Sequence, residues 1–335
     1  MRAIRLNNAV LIAVPLLAAL GVLAAGASLG PGALAQAFPS KPIRLVVPFP
    51  PGGNPDIVGR LVSSGLAEIF AQPVVVENRA GAGGMIAGEL VGKAAPDGHT
   101  LLVGSTGSVV IAPLTFRKPE MEWDRILTPV STLGMVPVVF HVRPELPVKN
   151  VQELIAYAKS RDGKMTVADG GAGSVNHLSG VLLQQMAGVK WTHVHHKGLA
   201  PAITDVLGGH IEVMISQVSA TMQHIQRGAL RPLATTGAER LRQLPELPTL
   251  DEAGYKGFLA VTFVGLLAPA NTPRDVVARI NAAVNKVLQD KALAPKFEAT
   301  GTDIRGGSPE DFGKFLQSES ARWRKVITDA NIKAD

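Results

Sequence analysis

Cysteine is missing from all 335 residues, which removes disulfides, thiolate nucleophiles and cysteine-bound zinc from consideration together. Stability must come from a packed core. Aromatic residues make up only 4% of the chain and no run of five basic residues occurs, so the stacking platforms and basic stripes of a nucleic-acid groove are lacking. Charged residues are few as well, at 18%, against a hydrophobic fraction of 46%. That balance is globular and excludes a disordered chain. The length suits two lobes of about 150 residues each.

Long apolar runs are equally scarce. One occurs, Ala9 to Leu29, behind Arg2 and Arg5, and the small residues Ala33 and Ala35 follow it. This is the layout of a secretory signal over residues 1–35 with cleavage before Gln36. An uncleaved anchor is the alternative, since the run is long enough to span a bilayer. No later segment is apolar for long enough to do so, and the mature chain is expected to be soluble. The formal charge is +6. Loss of the signal removes two arginines and no acid, leaving a mild positive field that favours small anions.

Beyond the signal, short apolar runs alternate with glycine-rich turns and helical patterns. "IRLVVPF" (43–49) leads into "DIVGRLVSSGLAEIF", "VVVEN" (74–78) into "RAGAGGMIAGELVGKAA", and "HTLLVGS" (99–105) into "TGSVVIAPL". A second series starts near residue 164 with "KMTVADG", "WTHVHHKG" and "IEVMIS", each before a helical stretch, and "RPLATTG" follows as a further strand. This alternation predicts an α/β fold with mostly parallel strands. Helix starts carry their own marks: Asn150 with Glu153 forms a capping box, and Pro273 and Pro309, behind Thr272 and Ser308, fit the first helical position. Pro137, Pro144 and Pro147 mark a first crossing between lobes, and "FLAVTFVGLLAP" (258–269) the return.

In such sheets ligands bind beyond the carboxyl ends of strands, where helix N-termini present free N–H groups. The turn "VVPFPPGGNPD" (46–56) lies at such a place. Its prolines fix φ beforehand, while Phe49, Gly52, Gly53 and Asn54 retain amides that an anion can approach. "GSTGS" (104–108) and "DGGAGS" (169–174) repeat the chemistry and add hydroxyls from Ser105, Thr106, Ser108 and Ser174. The plainer reading of each turn is tight strand-to-helix closure. For Asp56 it is a helix-start acid paired with Arg60, with ligand contact as the other possibility.

Catalytic and metal readings find less support. None of these turns completes a dinucleotide or phosphate-loop motif. "GASLG" (26–30) matches the nucleophile elbow only by chance, inside the signal segment. His193, His195 and His196 form the densest histidine group, but zinc needs a third ligand drawn from His177, His210 or His224. Histidines without a metal are the favoured reading, and no cofactor is expected.

"FPSKPIRLVVPFPPGGNPDIVGR", "VVVENRAGAGGMIAG", "APDGHTLLVGS", "GSVNHL", "HKGLAPAITDVLGG" and "LPTLDEAG" together resemble the Bug family, the extracytoplasmic receptors of tripartite tricarboxylate transporters. The resemblance runs from about residue 38 to the C-terminus. It implies a periplasmic, non-enzymatic and monomeric Venus-flytrap receptor, with lobe 1 at 38–139 plus 262–335, lobe 2 at 140–261, and hinge crossings near 137–143 and 258–268. It also implies a small carboxylate as ligand (a di- or tricarboxylate, an amino acid or an aromatic acid) and the transporter's membrane permease subunits as partners. The family's carboxylate-holding loops fall on Phe49 to Asp56 and on Gly170, Gly171, Ala172, Gly173 and Ser174, with Ser105 to Ser108 as a third wall. Where the family commonly has "HVPYKG", this chain has "HVHHKG", which makes His196 a candidate contact. Ser216 and Gln217 are candidates for specificity. A receptor that serves a membrane sensor kinase, or a periplasmic metal-binding protein, are the competing functions.

Overall fold

In a computed structural model, residues 38–196 and 198–333 are described. The expected signal, residues 1–35, lies outside them. Residues 41–335 form one compact unit; of the other, which ends at Ser40, residues 38–40 are described.

Strands and helices alternate from the start. β1 (Ile43–Val47) leads into α1 (Asn54–Phe70), β2 (Val74–Asn78) into α2 (Met85–Gly92), and β3 (Thr100–Ser105) into a wide helical turn at Thr106–Ile111. That turn continues as α3 (Ala112–Thr115); α4 (Trp123–Ile126) and the long strand β4 (Leu127–Val142) follow. The second series is α5 (Val151–Ser160), β5 (Thr166–Asp169), α6 (Val175–Ala187), β6 (Thr192–His195), α7 (Leu199–Leu207), β7 (Val213–Gln217), α8 (Val218–Gln226) and β8 (Arg231–Thr235). The last elements are β9 (Val261–Pro269), α9 (Arg274–Leu288), α10 (Ala294–Ala299), β10 (Asp303–Ile304) and α11 (Pro309–Asp329).

The result is a two-lobed α/β fold in which β4 belongs to both sheets. Its first part pairs with β9, ending at Pro137 opposite Val261; from Val138, opposite Gln217, it pairs with β7 instead. In one lobe β1 lies parallel between β2 and β3, and β9 joins β3 to β4. In the other β5 lies parallel between β6 and β7, and β8 takes the free side of β4. The parallel pairs have the helical crossovers such pairing requires. β9 runs against β3 and β4, and β4 runs against β7 and β8, so the pairings of β4 and β9 are antiparallel. This part of the arrangement was not readable from the alternation alone.

β1, β3 and β9 are nearly continuous apolar runs because helices cover both sheet faces. Val46, Leu102, Val138, Phe140 and Phe263 are sealed from solvent. α11 adds Phe312, Leu316, Trp323 and Val326 to that core. Asn150 accepts the Glu153 N–H at 2.8 Å, and Ser308 the Asp311 N–H at 3.0 Å, as the caps required. Pro273 differs from expectation. It sits at the N-cap with ψ 139°, one residue outside α9, because the Thr272 hydroxyl turns back and donates to the Pro269 carbonyl at 2.7 Å instead of capping. Among the described residues no helix is long and apolar enough to cross a membrane.

Candidate functional site

A cleft of about 890 Å³ opens where strand ends and helix starts of both sheets converge. Its lining includes Gly53, Ser174, Gly198 and Gln217. These are the N-caps of α1, α6, α7 and α8 respectively. The first turn of a helix has N–H groups without intrahelical acceptors and carries a fractional positive charge. Gly53, Gly198 and Gln217 provide no side-chain acceptor for those amides. No aspartate or glutamate is among the described lining residues, and Lys333 is the charged side chain there. Four dipole ends around one space without a carboxylate make a site whose electrostatics favour an anion.

The first wall is the turn between β1 and α1. Gly52 adopts φ +87°, and its N–H donates to Asp56 Oδ2 at 2.9 Å. Asp56 is buried and is further held by Arg60, at 2.9 Å, and by the Asn78 side-chain amide, at 2.9 Å. Burial pushes its carboxyl pKa up, but the contacts with Arg60, the Gly52 amide and Asn78 outweigh burial and hold it below the usual carboxylate value. Asn78 also donates to the Phe49 carbonyl at 3.0 Å. Gly52 and Asp56 therefore shape the turn from behind, while Phe49, Gly53 and Asn54 line the cleft. The Asn54 side chain donates to Thr302 Oγ1 at 2.8 Å, leaving its Oδ1 buried without a protein partner.

The turn after β3 divides in the same way. Ser105 lines the cleft, and so does Gly107. Thr106 and Ser108 are buried and work inward: Thr106 donates to the Val261 carbonyl at 3.1 Å and accepts the Phe263 N–H at 2.9 Å, while Ser108 Oγ accepts the Ser105 N–H at 3.1 Å. Thr106 braces the wall against the returning strand β9, and Ser108 closes the turn on Ser105.

The wall from the other lobe is the loop Gly170 to Ser174, all five residues of which line the cleft. Behind it Asp169 Oδ1 accepts the Gly171 N–H at 2.9 Å and His177 Nδ1 accepts the Gly173 N–H at 3.0 Å. Burial, with repulsion from His193, lowers the His177 pKa to about 4, so its ring is the neutral acceptor the contact needs. Gln217 lines the cleft; Ser216 is fully buried beside it, with a hydroxyl that has no protein partner. His196 is not part of the lining. Its Nε2 lies 2.9 Å from Asp205 and its Nδ1 3.1 Å from the Val194 carbonyl, so both ring nitrogens already have partners.

Several lining residues, some of them inside the Phe49 to Asp56 loop, were not singled out by the sequence as contacts. Pro50, Pro51, Pro55, Ile111, Phe116, Val175 and Leu199 give the cleft an apolar share, and Gly83, Gly198, Thr262 and Lys333 complete parts of its rim. Gly198 and Leu199 lie in "HKGLAP", and Gly83 in "RAGAGG", both visible as glycine blocks. Nothing in the local pattern singles out Lys333, because only tertiary packing brings the C-terminal residues there.

The sequence profile of the "Tripartite tricarboxylate transporter family receptor" matches residues 58–332. Protein BugT of Bordetella pertussis is 35% identical, with 95% of this chain and 98% of BugT covered. A Rhodopseudomonas palustris protein solved with adipate is 35% identical, with a TM-score of 0.74 over 88% of this chain and 99% of that one. MatC from the same organism, solved with bound malate, is 34% identical, with a TM-score of 0.71 over 87% and 100% of the two chains.

Proposed function

The chain belongs to the tripartite tricarboxylate transporter receptor family, and from that premise we propose that it captures a small organic acid in the cleft and presents it to the permease subunits of such a transporter. The observation that carries this reading is the convergence of four helix N-termini on one space lined by no acid among the described residues. A carboxylate placed there gains hydrogen bonds and favourable dipoles without an ion pair to desolvate. Gly53, Asn54, Ser105 and the loop Gly170 to Ser174 hold its acid groups, and Gln217 contributes to selectivity. The adipate and malate in the two related structures support a dicarboxylate as the first probe.

The lobes of this reading are residues 38–139 plus 262–335 and residues 140–261, closing about crossings near 137–143 and 258–268. The partner change within β4 at Pro137 and Val138 supports the first crossing. The chain acts in the periplasm after export by the segment 1–35, as a monomer and without catalysis.

Thermal unfolding with a panel of dicarboxylates, tricarboxylates, amino acids and aromatic acids tests the proposal. Saturation at about 100 times the dissociation constant adds roughly 2.7 kcal/mol of stability. A shift with at least one acid is expected. Stabilisation by sugars or metal ions alone contradicts it.

A further inference from the structure

The second wall rests on a cluster that the cleft itself does not include. Asp169 ends β5 with its side chain fully buried, and both its oxygens stand 3.0 Å from His195 Nδ1. Asp169 pairs with His195 across parallel strands, and Val167 with His193, so both histidines lie on the carboxylate's side of the sheet. His193 Nδ1 is 3.5 Å from Asp169 Oδ2. Its Nε2 lies 3.1 Å from the Trp191 indole nitrogen and 2.9 Å from Gln184 Oε1. The His177 ring, from the first turn of α6, closes the group with centroids 4.7 Å from His193 and 4.4 Å from His195. α6 is bare where the ring of His193 approaches it: a Cβ on Gly180 would come within 2.6 Å of His193 Cε1.

The cluster controls two cleft amides directly, through Asp169 on Gly171 and His177 on Gly173. A buried carboxylate without partners is costly, and here its partners are the loop and the histidines. We propose that Asp169 is a positioning residue for solute capture: its carboxylate, held between the Gly171 amide and the His195 ring, fixes the 170–174 loop in the shape that receives the acid. The proposal rests on the carboxylate-receptor reading for its ligand but not for its geometry. His177 makes the hold proton-sensitive, since a proton on Nδ1 occupies the lone pair that accepts Gly173. The ionisable groups facing that ring are His193 and His195 from β6 and Asp169 from β5; the Asp205–His196 pair stands next along the chain toward α7. Of these, Asp169 is the anion of the cluster, and its negative charge favours protonation of His177.

The test is amide exchange on the purified, ligand-free chain by nitrogen-15 NMR, from about pH 7.5 to about pH 3, a window that spans the lowered His177 pKa, comparing wild type with Asp169→Asn and His195→Gln. The first substitution keeps the size of the side chain and removes the charge. Expected in Asp169→Asn is an approximately tenfold or greater loss of Gly171 protection and a downward move, by about half a pH unit or more, of the midpoint at which Gly173 loses protection. A structural role without the charge does not move that midpoint. Unchanged Gly171 protection together with an unchanged midpoint overturns the proposal. Should Asp169→Asn fail to fold, His195→Gln decides, because that ring is partly exposed: faster Gly171 exchange supports the proposal and wild-type exchange overturns it. A parallel titration with adipate separates the two readings. Weaker adipate binding by Asp169→Asn than by wild type supports positioning, equal binding counts against it, and an absence of binding by wild type to adipate and every other acid of the panel contradicts the receptor reading while the exchange data still decide the role of Asp169.

Discussion

The Asp56 carboxylate accepts the N–H of Gly52, four residues earlier, at 2.9 Å. That bond closes the turn on itself and takes the Gly52 amide out of the set available to a ligand, leaving Gly53 and Asn54 at the start of α1. Replacing Asp56 by alanine removes the buried acceptor shared by the Gly52 N–H, Arg60 and Asn78. The expected cost is about 1–3 kcal/mol in urea unfolding, accompanied by weaker solute binding. Equal stability of Asp56→Ala and wild type shows that the bond does not organise the turn.

Gly53 and Gly52 are predicted to respond differently to a side chain. At Gly53, a lining residue with φ −73°, a Cβ meets only the Pro50 carbonyl at 3.6 Å and Pro55 at 4.0 Å. Gly53→Val is therefore expected to unfold within about 1 kcal/mol of wild type while binding its acid at least about tenfold more weakly, a loss of about 1.4 kcal/mol. At Gly52, φ +87° is the obstacle although space is open, so Gly52→Val is expected to lose about 1–2 kcal/mol of stability. Calorimetric titration beside denaturant melts separates the two outcomes.

Folding stability is predicted to fall as the pH drops below about 6.5, the usual histidine value. Burial lowers His141 to about 3, and burial with repulsion from His193 lowers His177 to about 4. Between those values and the unfolded one, the unfolded chain binds protons that the folded chain refuses, so stability is lost on acidification. Asp169 adds a loss of the same sign below the ordinary carboxylate value. Burial opposes its ionisation, but His193, His195 and the Gly171 amide hold its pKa down. Urea midpoints at a series of pH values check the sign, and replacing His141 by glutamine is expected to flatten the upper part of the curve.

Thr106 joins the third wall to the returning strand through the Val261 carbonyl and the Phe263 amide. Thr106→Val keeps the shape and leaves both groups buried without that partner. A loss of about 1–3 kcal/mol in denaturant unfolding is expected. If Thr106→Val instead matches wild type, the wall is held by packing alone.

The strand-helix alternation, the glycine turns and the caps at Asn150 and Ser308 were legible because they are local: period, turn chemistry and capping act within a few residues. The double membership of β4 was not, since strand partners are chosen by tertiary pairing, and neither was the antiparallel course of β9. The three loops that line the cleft were legible, yet the division within the first and third walls was hidden. Gly52 and Asp56 differ from Gly53 and Asn54, and Thr106 and Ser108 from Ser105, only in which way each group faces. His196 shows the limit most clearly. Its position beside a recognised motif drew attention to it, while Asp205 on the next helix engages its ring.

The central claim, that uncharged backbone amides at helix starts receive the acid, is tested most directly by a crystal structure with adipate, or with whatever acid copurifies. The account predicts a carboxylate within hydrogen-bond distance, about 2.7–3.2 Å, of amides in the Gly53–Asn54 turn, with the solute also contacting the 170–174 loop. An acid group bound away from both loops, or held by the Lys333 ammonium alone, contradicts it.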